Sequence, residues 1–109
     1  ALGSIEYAVE HLNTPLVVVI GHQSCGAVTA TYNEVVKGEK VTGNMESFVE
    51  KITPSINKDG TIDDAIHANV DAVVKEVSED DAVKALINQG KLKVVGAYYD
   101  LGGKVTFNE

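Results

Sequence analysis

The chain has 109 residues, 44 % of them apolar and 23 % charged, the proportions of a soluble globular domain with one modest core. Its net charge of −7 argues against a nucleic-acid partner, whose phosphates demand a basic face. No apolar run approaches the roughly 20 residues that span a bilayer and no signal peptide opens the chain, so the expectation is a cytoplasmic protein with no membrane partner.

All nine basic residues are lysines, so this chain alone cannot complete a site that needs bidentate guanidinium recognition. The single cysteine, Cys25, excludes an internal disulfide and suits a reducing compartment. A metal site with two thiolates needs sulfur from elsewhere.

Taken in order, residues 2–12 place Ile5, Ala8, Val9 and Leu12 on one face of a helix, with Ser4 as the expected N-cap and His11 late in the helix, where a cation suits the dipole. Asn13-Thr14-Pro15 ends that helix. The apolar run Leu16 to Ile20 then reads as a strand buried on both faces. Gly21 to Cys25 forms a tight turn, and residues 26–37 continue as a helix with Val28, Ala30, Tyr32, Val35 and Val36 available for packing and Gly38 just past its end. Residues 41–60 mix the helical spacing of Met45, Phe48, Val49 and Ile52 with loop signals at Pro54 and Asp59-Gly60. Thr61 caps a long helix through about Val77, with acids in its first turn and Ile62, Ile66, Val70, Val73, Val74 and Val77 as its buried stripe. His67 lies beside that stripe and is expected to be structural.

Ser78 to Asp81 caps a short helix from Ala82 to Gln89, which Gly90 ends. Leu92 to Asp100 reads as a second buried strand, and Val105-Thr106-Phe107 returns after a turn as a short antiparallel strand. The expected fold is α/β, a parallel-cored sheet flanked by helices with a C-terminal antiparallel edge strand, in a single domain over residues 1–109. The sheet is incomplete in this chain. Val17 to Ile20 has the hydrophobicity of a central strand paired on both edges, yet the chain supplies at most one neighbour for it. An unpaired apolar edge invites association, so another chain or an N-terminal segment is expected against it.

The turn carries the chemistry. His22 and Cys25 lie three apart at the carboxyl end of a buried strand, where open α/β sheets place ligands. Imidazole nitrogen and thiolate sulfur are typical zinc ligands, and a helix beginning near Cys25 favours the thiolate. Three other readings stand beside zinc: a buried free cysteine with a nearby capping histidine, a cysteine nucleophile activated by His22, and an anion-binding nest in which Gly21 and Gly26 allow close backbone approach. The nest is compatible with zinc.

Ile20-Gly21-His22-Gln23-Ser24-Cys25-Gly26-Ala27-Val28 resembles the second metal-ligand motif of the β-class carbonic anhydrases. Gly3 to Val9 resembles the helix that precedes this motif in the family. Asn69-Val70, Val95 to Leu101, and Gly103-Lys104-Val105 resemble its C-terminal part, so the resemblance runs in order over essentially the whole chain. It implies reversible hydration of carbon dioxide to bicarbonate at a Zn2+ held by two cysteines and one histidine, in an intertwined dimer or larger homo-oligomer. By motif match His22 is the histidine ligand and Cys25 the second cysteine.

The family's first motif, Cys-x-Asp-x-Arg, is absent. It carries the other thiolate and an aspartate–arginine pair, and neither His11 nor His67 has a spacing that marks it as a substitute. The chain opens on Ala1 rather than Met. The leading expectation is therefore the C-terminal part of a β-class carbonic anhydrase, inactive or impaired alone and complemented by a partner copy or an N-terminal segment. The alternatives are a shortened, non-catalytic binding or structural subunit, and a zinc hydrolase of a related small molecule such as carbon disulfide.

Overall fold

A computed structural model describes residues 1–108. Three strands form one mixed sheet in the order β1 (Leu16–His22), β2 (Lys93–Tyr99) and β3 (Val105–Asn108). The β1–β2 pair is parallel, running from Leu16 opposite Lys93 to His22 opposite Tyr99. The β2–β3 pair is antiparallel, with Ala97 opposite Phe107 and Tyr99 opposite Val105. The helices are α1 (Leu2–His11), α2 (Gly26–Lys37), α3 (Glu46–Ile52), α4 (Ile62–Glu79) and α5 (Asp81–Asn88), with single 3₁₀ turns at Gly43–Met45 and Thr53–Ser55.

Local chemistry accounts for most of these boundaries. Thr61 and Asp64 form a reciprocal capping box: the Asp64 N–H donates to Thr61 Oγ1 and the Thr61 N–H to Asp64 Oδ2, both at 3.0 Å. Asp80 caps α5 by accepting from the Val83 N–H at 3.3 Å. Gly38 (φ 72°) and Gly90 (φ 71°) take the left-handed conformation just beyond the ends of α2 and α5, where a side chain costs most. The expectation for Ser4 is corrected. Helix α1 starts at Leu2 with Ala1 at its N-cap, so Ser4 lies inside the first turn and caps nothing.

Two buried clusters make up the core, and α4 joins them. Val9, Val77, Val83 and Leu92 pack with Val17, Val73 and Val94, uniting α1, α5, the second half of α4 and the amino ends of both parallel strands. Val28, Ile52, Ala65 and Ile66 pack with Cys25, Phe48, Ile62 and Tyr98 beneath the carboxyl ends of the strands. Between them, α4 crosses both parallel strands very closely. A Cβ on Gly21 would overlap Val70 Cγ2, and one on Gly96 would lie 2.7 Å from Val70 Cγ1 and 3.3 Å from Val74 Cγ2.

The sheet is open as expected, whereas the burial of β1 on both faces is corrected. Among the described residues β1 pairs on one edge only, with β2. Leu16 (47 % exposed) and Ile20 (59 %) lie on the face opposite Gly21, away from α4. Side chains alternate along a strand and paired residues share a face, so Tyr99, Val105 and Phe107 extend the same exposed apolar surface across the sheet. The small residue Ala97 is buried on that surface, between its cross-strand neighbours Ile20 and Phe107. The hydrophobicity of β1 exceeds the cover these residues provide.

The close seat of α4 is testable. Gly96→Ala forces stiff, β-branched neighbours apart, and overpacking of this kind costs about 1–3 kcal/mol. The expected result is a lower denaturant midpoint at unchanged slope. Adding Val70→Ala should recover part of the loss; strict additivity of the two changes would show that this contact is not the cause.

Candidate metal centre

The turn from β1 to α2 brings together the residues that the sequence singles out. His22 is the last residue of β1 and Cys25 is the N-cap of α2, with only Gln23 and Ser24 between them. Ser24 adopts a left-handed conformation (φ 59°), uncommon for a residue with a side chain, and this reverses the chain within two residues. The Cys25 carbonyl accepts from the Thr29 N–H at 2.9 Å and from Thr29 Oγ1 at 2.8 Å, closing the first turn of α2. Cys25 is a half-buried free cysteine packed against the second core cluster, whereas His22 is exposed.

His22 Nδ1 lies 3.1 Å from the Gln23 carbonyl oxygen. A carbonyl can only accept, so this bond needs the proton on Nδ1, which in the neutral ring leaves the lone pair on Nε2. This ring bond goes to the backbone of the next residue. The same geometry suits a metal ligand, whose second nitrogen is ordinarily fixed by such a bond.

The turn is tied to the far end of β2. The Gln23 N–H donates to the Tyr99 carbonyl at 2.9 Å, and the Leu101 N–H donates to Gln23 Oε1 at 2.9 Å. Sequence reasoning missed Gln23, because its partner lies 78 residues away and no local pattern marks the pair. The two glycines behave differently from each other. Gly21 is required by the approach of α4, whereas a Cβ on Gly26 would meet nothing within 4 Å. Neither observation is specific to an anion nest.

As a metal site the donor set fits zinc in kind and is half complete in number. One imidazole nitrogen and one sulfur are borderline-soft donors of the sort zinc takes, but structural and catalytic zinc sites use three or four protein ligands. Among the described residues no group of three or more histidine, cysteine or carboxylate side chains converges on one point. His11 lies instead against Tyr7, with ring centroids 5.0 Å apart and the rings tilted by 39°. His67 stacks on Tyr98, with centroids 4.3 Å apart.

An open cleft of about 1280 Å³ adjoins the turn, lined by Gln23, Ser24, Asn33, Asp63, Tyr98 and Asp100 among others. In its wall Tyr98 Oη donates to Asp63 Oδ1, while His67 Nε2 stands 3.8 Å from Asp63 Oδ2. The hydrogen bond to Asp63, followed by desolvation and the charges of Asp63 and Asp100, pushes the Tyr98 phenol up to about 12. Asp63 and His67 one helical turn apart are visible in the sequence; their meeting with Tyr98 across the cleft is not.

Because its folded pKa lies above the ordinary value of 10.0, Tyr98 holds its proton more tightly in the folded state. Its contribution to stability is complete below pH 10.0 and is lost as the pH rises through about 12. Asp63→Asn removes the carboxylate charge, so it should bring the Tyr98 ionisation down toward 10.0 and flatten the alkaline fall in stability. Tyrosinate absorbance titration of the variant against the parent checks this; superimposable curves would contradict it.

Comparison with known proteins was decisive for the family. The model of the carbonic anhydrase family matches residues 1–105. A curated relative, carbonic anhydrase 2 of Mycobacterium tuberculosis, is 39 % identical over 106 residues, covering 92 % of this chain and 51 % of its own length. A carbonic anhydrase of Mycolicibacterium smegmatis is 56 % identical over 55 residues, covering 50 % of this chain and 27 % of that protein. Among solved structures, the β-carbonic anhydrase CafA of Aspergillus fumigatus superposes with a TM-score of 0.80 at 27 % identity, over 100 % of this chain and 57 % of that one. A tetrameric β-carbonic anhydrase of Sordaria macrospora has the same fold, with a TM-score of 0.80 at 22 % identity over 96 % of this chain and 57 % of its own. The chain thus spans about half the length of the Mycobacterium tuberculosis relative. Matched along nearly all of its residues in sequence and in fold, this chain belongs to the β-class carbonic anhydrase family.

Proposed function

We propose that His22 and Cys25 are two of the protein ligands of a zinc centre that catalyses the reversible hydration of carbon dioxide to bicarbonate. The observation that carries this reading is the pairing of a histidine whose Nδ1 is bonded to the backbone with a cysteine at the N-cap of α2, with two residues between them in the turn from β1 to α2, in a member of this family. Zinc, when bound, supplies the Lewis acidity that brings the ionisation of a water near neutral pH. This chain contributes the imidazole, one sulfur and the braced turn that aims them. With one cysteine and no arginine, the rest of the ligand set and any guanidinium come from outside these 109 residues.

The exposed apolar face of the sheet and the free edge of β1 support a homo-oligomer or a complementing segment lying against them. The Sordaria macrospora relative is tetrameric, in keeping with that reading. No helix among the described residues is long and apolar enough to cross a membrane, and family membership supports carbon dioxide and bicarbonate as the small-molecule partners.

The test is zinc stoichiometry by native mass spectrometry, together with carbon dioxide hydration by stopped flow, on the complete natural chain. The expected outcome is one zinc per site in the parent, with both zinc and hydration lost in Cys25→Ser. Full zinc occupancy in that variant would sink the ligand assignment.

A further inference from the structure

Gln23 sits between the two proposed ligands and is bonded in three directions. Its N–H donates to the Tyr99 carbonyl at 2.9 Å, extending the parallel ladder one residue past the end of β1. Its side-chain Oε1 accepts from the Leu101 N–H at 2.9 Å, in the turn that follows β2. Its own carbonyl accepts from His22 Nδ1 at 3.1 Å. The Leu101 turn is itself rigid: the Asp100 N–H donates to the Lys104 carbonyl at 2.9 Å, and the Lys104 N–H to Asp100 Oδ1 at 3.0 Å.

We propose that Gln23 is a positioning residue for the metal loop, its side chain clamping the loop to the β2–β3 turn so that its carbonyl selects the His22 tautomer with Nε2 free. The inference rests on the zinc reading of His22 and Cys25. It assigns to Gln23 a task that neither ligand performs. The two ligands ride on different elements, His22 on a strand and Cys25 on a helix, and the peptides joining them include the left-handed Ser24. Without a brace, rotation of the peptide between residues 23 and 24 swings the carbonyl away from the imidazole and moves Cys25 relative to His22. The ladder bond fixes one side of Gln23 and the side-chain bond the other.

Side-chain length decides which residues can do this. Glutamine reaches Leu101 with its carbonyl oxygen, and glutamate reaches equally far with an acceptor; asparagine is one methylene short, and alanine offers no acceptor. Gln23 is solvent-exposed, so water competes for its bond and the bond adds little to global stability. Its effect falls on the geometry of the loop. A merely structural role would show in the melting temperature, and a positioning role shows in metal affinity.

The experiment measures zinc affinity by chelator competition on the complete natural chain, for the parent, Gln23→Ala, Gln23→Glu and Cys25→Ser, with thermal melting of each. Gln23→Ala keeps the carbonyl that meets the ring and removes only its brace, so it should weaken zinc by roughly 2–10-fold, the worth of a typical net hydrogen bond, with little change in melting. Gln23→Glu should recover most of the loss. In the metal-free parent above the imidazole pKa, the ¹⁵N spectrum of His22 should show the proton on Nδ1, and Gln23→Ala should shift it toward a mixture. Gln23→Ala binding zinc as tightly as the parent, while Cys25→Ser binds none, overturns the positioning role and leaves the ligand reading standing. An Nδ1 without its proton in the metal-free parent also overturns it. Cys25→Ser holding zinc overturns the ligand assignment, and this inference with it.

Discussion

Val70 resting on the bare backbone of Gly21 and Gly96 is the contact on which the rest of the structure depends. Two parallel strands cannot be joined by a tight turn; the chain must leave the sheet and return along one face, and in this fold α4 lies across that face. Helices usually ride above a sheet at a distance set by side chains on both surfaces. Here one surface has none at two adjacent strands, so α4 sinks by about the size of a methyl group and its valines touch the strand backbones. The second core cluster gathers Cys25 and Tyr98 around Ala65 and Ile66 one turn earlier on the same helix. The depth of α4 therefore fixes the height of the turn that follows Gly21.

That turn is short and held at His22, Gln23 and Cys25. Its first residue is hydrogen-bonded through the ring, its second to both the end of β2 and the turn beyond, and its last caps a helix. Surface loops of this length are commonly free to move; this one has the bracing of a site whose donors must keep a set direction. The chemistry it can support alone is nevertheless limited. Two donors bind zinc weakly beside the three or four that such centres use, and His11 and His67 lie against the aromatic rings of Tyr7 and Tyr98.

The parts of this arrangement that were legible in the sequence are those written within a few residues. The apolar run into Gly21-His22, the Thr61–Asp64 capping box and the glycines after α2 and α5 each state a local conformation whose cost or benefit is felt on the spot. Ser4 misled because a capping residue type is no stronger than a helix able to start two residues earlier. Gly21 was legible as a special position, but the reason lay in Val70, 49 residues away in a helix whose depth no pattern encodes. Gln23 with Leu101, and Asp63 with Tyr98, are joined by topology alone. The periodicity of β1 reported its hydrophobicity faithfully; it cannot report how much of the cover comes from the same chain.

The open edge of β1 and the proposed ligand pair meet at the end of one strand. His22 ends the strand whose outer edge has no neighbour among the described residues, and Leu16 and Ile20 sit exposed along it. A strand paired there would lie about 4.8 Å away and carry its own side chains past the end of β1, within reach of the same point as His22 and Cys25. One added element of that kind would satisfy the unpaired backbone and bring further donors beside the two already held. Its neighbours could cover the apolar face. In the zinc reading, then, the element that completes the sheet is also the one placed to complete the ligand set, which couples metal binding to folding.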